Sequence, residues 1–171
     1  MIIIPNYDRY CNYILWIIYY SFFTFSFLGC ASTPQQPQDT VQETIRYSSS
    51  PCFGACPIYS VDVTPSGAVH FNGKQYTKAM GEHDLTVDPS VYKKLQYELK
   101  TYRPETGANV KTTGCQQITA DQPSGYFSWI QANGTTTKLS HYTGCISPAN
   151  LELNELIDKL PKLIGIDDLV H

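Results

Sequence analysis

The chain has 171 residues, of which 42% are hydrophobic and 16% charged, and it carries a formal net charge of -3 at neutral pH. Once a targeting stretch at the N-terminus is set aside, that length supports one hydrophobic core and not two. Binding nucleic acid needs clustered cations that displace counterions, and the 12 lysines and arginines here are scattered, which argues against nucleic acid as a partner.

The first thirty residues carry the localisation signal. Arg9 precedes a run from Tyr10 to Leu28 that has no charge and is rich in Ile, Phe, Trp and Tyr, the composition of a membrane-inserting segment. The run ends in Phe27-Leu28-Gly29-Cys30, which resembles the lipobox of bacterial lipoproteins. In that box small residues before a cysteine let the signal peptidase cut, and the cysteine thiol is then acylated. Phe27 stands where leucine is usual and Asp8 offsets Arg9, so a retained signal anchor is the competing reading. Ala31 to Thr44 is Ser, Thr, Gln and Pro with few apolar side chains, a composition that makes a flexible tether. The expected organisation is a lipoprotein signal peptide over 1–29, lipidation with palmitate at Cys30, a tether over 30–42, and one domain over 43–171. Ala31 is not the aspartate that marks inner-membrane retention in many Gram-negative lipoproteins. The expected location is therefore the outer membrane, with the domain in the periplasm or at the cell surface.

From Glu43 the pattern turns structural. Thr44 to Ser48 alternates as a short first strand. Tyr59, Val61 and Val63 then share one face, with Ser60, Asp62 and Thr64 on the other, and Val69 and Phe71 repeat the period against His70 and Asn72. Between these strands Pro65 presets the φ that a turn wants, and Gly67 supplies the permissive backbone where the chain rejoins the ladder. Asn72-Gly73 reads as a second turn, with Gln75 to Met80 as a further extended piece. At Asp88 the period shifts to that of a helix. Asp88 is its cap, Pro89 sits in its first turn, Val91, Leu95, Leu99 and Tyr102 form its stripe, and Pro104 ends it.

A polar segment from Glu105 to Ser124 contains Cys115, and the plan then recurs. Tyr126 to Ala132, the pair Asn133-Gly134 and Thr135 to Tyr142 read as a hairpin with a two-residue type I′ turn, which sets Ala132 opposite Thr135, Ile130 opposite Thr137 and Ser128 opposite Leu139. In that register both faces carry apolar bulk, which suggests a central position or a second covering layer. A second helix follows, with Ser147 as cap, Leu153, Leu156, Ile157 and Leu160 as its stripe, a Glu155–Lys159 surface pair and Pro161 as its stop. The expected fold is α+β, an antiparallel sheet of two main hairpins packed against two amphipathic helices in the order β-β-α-β-β-α.

Residue chemistry leaves several readings open. Besides Cys11 and Cys30 the body holds Cys52, Cys56, Cys115 and Cys145, an even number that allows three disulfide pairings. Cys52 and Cys56 are three residues apart rather than two, and Pro57 and a strand follow them instead of a helix N-terminus, so the arrangement is unlike a thioredoxin-type redox pair. A zinc site could enlist Cys145 and His141, but a compartment that oxidises thiols favours disulfides. His70 reads as a solvent-facing strand residue, His83 as part of a polar connector and His171 as a terminal residue, and none has an evident acid–base partner. Eight tyrosines from Tyr47 to Tyr142, with Phe127 and Trp129, suit either an ordinary core or an exposed aromatic face for a peptide, glycan or envelope protein.

The block Pro51-Cys52-Phe53-Gly54-Ala55-Cys56-Pro57-Ile58-Tyr59, the hairpin with Gly67, Asp121 and Pro123 before a second hairpin that ends in His141-Tyr142-Thr143-Gly144-Cys145, and the final helix together resemble the DUF6438 family of uncharacterised bacterial lipoprotein-type domains. The resemblance covers residues 43 to 164. It implies an α+β domain at the cell envelope, no activity and no catalytic residues. It also favours one pairing: relatives keep the first two cysteines where the position of Cys145 varies, so Cys52 pairs with Cys56, and Cys115 is left to Cys145.

The expected function is a lipid-anchored, non-enzymatic envelope domain with a binding or structural role, held at the membrane through Cys30 and engaging an envelope protein or peptide. No cofactor, metal ligand or catalytic residue is assigned. The alternatives are a small envelope hydrolase or modifying enzyme, for which His141 with Asp121 is the pair to look for, and a cysteine-based metal or redox sensor.

Overall fold

A computed structural model describes residues 42–171 of the chain; Cys30, the signal segment and the tether lie outside these residues. The elements run β1 (Glu43–Ser49), β2 (Ile58–Val63), β3 (Ala68–Gln75), β4 (Gly81–Thr86), α1 (Pro89–Leu99), β5 (Asn109–Lys111), β6 (Gln117–Ile118), β7 (Ser124–Gln131), β8 (Thr136–Tyr142), β9 (Cys145–Ile146), α2 (Pro148–Ile164) and α3 (Asp167–Val170). The class is α+β. The expected β-β-α-β-β-α order is replaced by nine strands, seven of which form one sheet in the order β4-β3-β2-β1-β7-β8-β5, while β6 and β9 pair separately. All pairs in the large sheet are antiparallel except β5 on β8.

The strand that sequence leaves marginal is the central one. β1 pairs with β2 on one side and β7 on the other, and so joins the two hairpins into a continuous sheet. Its inward residues Ile45 and Tyr47 lie in register with Val63 and Val61 and with Trp129 and Phe127. An aromatic row crosses four strands beneath the helices, from Phe71 through Tyr59, Tyr47 and Phe127 to Trp129, with ring centroids 5.0 to 6.1 Å apart. Burial pushes the ionisation of the Tyr47 and Tyr59 hydroxyls upward, so both stay neutral. Leu95 of α1 and Leu160 and Ile164 of α2 close over Ile45, Val61, Val63 and Phe127. The sheet is covered by helices on this face.

The first hairpin turns as its sequence predicts. Pro65, Ser66 and Gly67 form a three-residue loop in which the Gly67 N–H donates to the Thr64 carbonyl at 3.0 Å and Gly67 takes φ 86°. Asn72-Gly73 is not a turn. β3 runs on through it to Gln75, the chain reverses over 76–80, and β4 follows. Gly73 is glycine because that reversal folds back against it, so that an added Cβ would collide with the Ala79 carbonyl oxygen and the Thr77 hydroxyl.

The second hairpin carries the larger correction. Its loop has three residues, Ala132, Asn133 and Gly134, with the Gly134 N–H on the Gln131 carbonyl at 2.9 Å and Gly134 at φ 88°. One added loop residue slips the register by one, and because side chains alternate this moves all of β8 to the opposite face. Phe127 now faces Leu139 and Trp129 faces Thr137, so apolar bulk falls on one face and no second covering layer is called for.

The helices begin where expected and end elsewhere. Asp88 accepts from the Ser90 N–H at 2.8 Å to cap α1, which stops at Leu99, before Pro104. Ser147 caps α2 by accepting from the Asn150 N–H. Pro161 does not stop α2: it is buried within the last turn, and the helix ends at Gly165 (φ 84°), whose N–H returns to the Pro161 carbonyl at 3.0 Å. After it α3 lies against the reversal between β3 and β4, where Lys78 and Ala79 donate their N–H groups to the carbonyls of Val170 and Leu169. Among the described residues no helix is long and apolar enough to cross a membrane.

Candidate binding surface

Helices cover one face of the seven-stranded sheet; the residues of alternate parity form the other. Since β1 bridges the hairpins, this outer face is continuous from β4 to β5 and can be followed in rows of partnered residues. One row runs Asp84, His70, Asp62, Arg46, Ser128, Lys138 and Asn109. The next runs Glu82, Asn72, Ser60, Ser48, Tyr126, Ser140 and Lys111. Neighbouring side chains along a row stand about 5 Å apart, the spacing of strands.

The first row is fixed by charge. The Arg46 guanidinium grips Asp62 with both arms, Nε to Oδ1 and Nη2 to Oδ2, each at 2.6 Å. That fork holds the guanidinium ionisation above its usual range. His70 Nδ1 lies 2.7 Å from Asp84 Oδ1, and this hydrogen bond raises the imidazole above its ordinary value. The carboxylate partner of His70 was not evident in the sequence, because the register of β3 on β4 creates it. The pair is exposed across the last two strands of the sheet, β3 and β4. The second row is short and uncharged in its middle: Ser48, Ser60, Asn72 and Ser140 are half-buried, and Tyr126 rises among them with 42% of its surface exposed. Short hydroxyl and amide side chains beside an upright tyrosine ring, bordered by a row of ordered charges, make a broad polar platform.

The disulfide loop borders this platform. It joins β1 to β2 at the end where β7 begins and β8 finishes. Cys52 pairs with Cys56 at a Cα separation of 5.9 Å, and Cys115 pairs with Cys145 at 4.9 Å. The Phe53 N–H donates to the Asp121 carbonyl at 3.1 Å, and Asp121 adopts φ 63°, a conformation that aspartate tolerates better than most residues. The Tyr142 hydroxyl ties down the neighbouring loop, donating to the Thr119 carbonyl at 2.8 Å and accepting from the Gln122 N–H at 3.3 Å.

His141 lies on the other side of the sheet, wholly buried. Its Nε2 donates to Asn154 Oδ1 at 2.7 Å, since the Asn154 amide donates in turn to the Thr143 carbonyl, and its Nδ1 accepts from the Thr112 hydroxyl at 2.9 Å. Burial pushes its ionisation down, against the opposing effect of Asn154. The His141–Asp121 pair that the hydrolase alternative would need is not formed, as both imidazole nitrogens are engaged with Thr112 and Asn154. His83 is half-buried in β4 rather than in a connector, with Nε2 3.1 Å from the Met80 carbonyl oxygen. Of the eight tyrosines, Tyr47, Tyr59 and Tyr92 are core residues, and Tyr76, Tyr97 and Tyr126 are exposed. A groove of about 600 Å³ between α1 and α2, lined by Tyr97, Glu98, Tyr102, Glu152 and the paired Glu155 and Lys159, mixes charges of both signs.

A family model described as a domain of unknown function, DUF6438, matches residues 43–164. No curated protein matches the chain. The matched stretch begins at the first residue of β1 and ends at the last residue of α2, so it takes in every strand and both long helices. The chain belongs to the DUF6438 family.

Proposed function

We propose that this protein is a lipid-anchored, non-enzymatic domain of the cell envelope that holds a protein or peptide partner against the outer face of its sheet. The observation that carries the reading is the seven-stranded face that the described helices leave open, on which half-buried hydroxyls, an exposed tyrosine and fixed charges are laid out in register. Such a face suits recognition of an extended polar surface better than chemistry on a small molecule, which needs convergent groups in a concave, water-poor site. Anchoring at the outer membrane rests on the sequence about Cys30. The position of His70 and Asp84, exposed on the outer face of the sheet, offers no support for a hydrolase.

The test is purification of the tagged full chain from its own membranes in mild detergent. Wild-type protein is expected to retain a partner in near-stoichiometric amount. Altered charge on the platform, Lys138→Glu with Ser128→Arg, should release it while leaving the circular dichroism unchanged. Retention of the same partner by this double variant would place the contact elsewhere and defeat the reading.

A further inference from the structure

The outer face is divided by charge along a line that the strand order puts at its middle. β1 is the central strand of the seven, with three strands on either side. In the two rows of the platform, the half formed by β4, β3 and β2 carries the carboxylates Glu82, Asp84 and Asp62, and the half formed by β7, β8 and β5 carries Lys138 and Lys111 and no carboxylate. Arg46, on the dividing strand, is closed on Asp62, and His70 is bound to Asp84. Among the described residues Glu82, Lys138 and Lys111 make no ion pair, and all three are exposed. Lys74, the other cation of β3, lies beyond these rows, past the slip in the ladder at Ile58 and Tyr59. The unpaired charge of the rows is therefore negative on one side of β1 and positive on the other.

A surface divided in this way is complementary to itself. Two such sheets laid face to face about a two-fold axis that follows β1 bring the acidic half of each copy over the basic half of the other, whereas an axis across the strands would set acid on acid. We infer that the outer face pairs with the same face of a second copy of this chain, in a two-fold dimer whose axis follows the mean direction of the two β1 strands; this names the partner in the binding reading above and rests on it. The relief of the face agrees with the charge. In the second row the rotation sets Glu82 opposite Lys111, Asn72 opposite Ser140 and Ser60 opposite Tyr126, so that the tall ring of the row meets a short hydroxyl side chain, and Ser48 falls on the axis. In the first row His70 comes opposite Lys138 with the Asp84 carboxylate beside it, and Arg46 meets its counterpart with Asp62 bound to each guanidinium. The twist of the sheets turns the two strand directions by about 30°, which shifts partners along the rows and leaves each half over its complement. Seven strands about 4.8 Å apart and about 20 Å long give each copy roughly 600 Å² of face, about 1,200 Å² for the pair, which reaches the lower range of specific interfaces and makes the dimer a weak one.

The test follows the mass of the full chain in mild detergent by sedimentation over a range of micromolar concentrations. Wild type is expected to pass reversibly from monomer to dimer, and less readily as salt rises. Glu82→Lys with Asp84→Lys makes both halves basic, and Lys111→Glu with Lys138→Glu makes both acidic; each pair of changes should weaken dimerisation at least about tenfold. An equimolar mixture of the two double variants should form a heterodimer, because a basic face then meets an acidic one. Independently, Ser48→Cys on the axis should cross-link to its own counterpart through a bismaleimide that spans about 10 Å, the separation of packed sheets, and Thr86→Cys at the edge of the sheet should not. Should either double variant lose its near-ultraviolet circular dichroism, these two cross-links decide alone. A wild type that stays monomeric, self-association that both double variants keep, a mixture of folded variants that fails to pair, or equal cross-linking from positions 48 and 86 overturns the inference. If the inference falls while Lys138→Glu with Ser128→Arg still releases a different protein from membranes, the binding reading stands with that protein; if that variant releases nothing, both fall.

Discussion

Arg103 reaches sixty residues back along the chain to close its guanidinium on Glu43, Nε to Oε2 at 3.0 Å and Nη2 to Oε1 at 2.6 Å, and it lies over the Trp129 ring at 6.0 Å. Glu43 is 3% exposed, and Gln131 donates to the same carboxylate at 3.2 Å. A buried pair of this kind adds little against a well-packed apolar substitute, but removing one partner strands the other charge. Arg103→Ala is therefore expected to cost about 3 to 5 kcal/mol in urea unfolding, and Glu43→Gln with Arg103→Met considerably less. Nothing in the sequence marks this pair: Glu43 reads as a strand boundary and Arg103 as the residue before a proline. His141 gives a second residue-scale expectation. Its imidazole is held neutral by burial, so its folded ionisation lies below the unfolded value of about 6.5. The unfolded chain then takes up the proton first as pH falls. The stabilisation that His141 contributes is complete above the unfolded value and is lost as pH drops from there through the folded value. Wild type should lose stability between pH 7.5 and 5.5 relative to His141→Gln, and parallel curves for the two proteins would refute the assignment. Comparison with the variant cancels His70, whose raised ionisation acts in the opposite sense.

At the scale of elements, local signals were legible where a residue does one thing and misled where tertiary packing reassigns it. Asp88 and Ser147 cap the helices because a side-chain acceptor beside free N–H groups works in any surroundings. The alternation of β2 and β3 was legible too, and with it half of the platform, since Ser60, Asp62, His70 and Asn72 all point outward. Pro161 misled because a proline in the last turn forfeits one hydrogen bond while its ring still fills the core. Asn72-Gly73 misled because a glycine needed for close backbone approach is indistinguishable in sequence from one needed for a turn. Asn133-Gly134 named the right hairpin with one loop residue too few, which sufficed to assign β8 to the wrong face. The elements most remote from sequence signals are β5 and β6, short strands formed on partners distant in the chain, and these frame the Cys115–Cys145 bond. That bond spans 30 residues, a loop whose closure contributes on the order of 3 to 4 kcal/mol. Cys115→Ser with Cys145→Ala should lower stability by about that amount in denaturant. The loss should be accompanied by faster amide exchange over 112–123 than over β1, and uniform exchange would show that the bond does not organise that segment.

For the molecule as a whole, β1 is the decisive strand. It converts two hairpins into one sheet, places the start of the described domain at one end and the disulfide loop at the other, and extends the outer face over seven strands. The breadth of that face could not be read from either hairpin alone, because it exists only when both pair with the same strand. Anchoring belongs to this scale as well. Intact mass of membrane-purified protein is expected to correspond to a chain that starts at Cys30 and carries acyl groups; a mass that retains residues 1–29 without lipid would remove the anchor from the account. The central claim is that the outer face is occupied in the envelope. Hydroxyl-radical footprinting tests it most directly, by comparing oxidation of Tyr126 on the platform with that of Tyr97 on α1, in native membranes and in the purified domain. The account predicts that Tyr126 is protected in membranes and reactive in isolation while Tyr97 reacts equally in both, and equal oxidation of Tyr126 in the two preparations would contradict it.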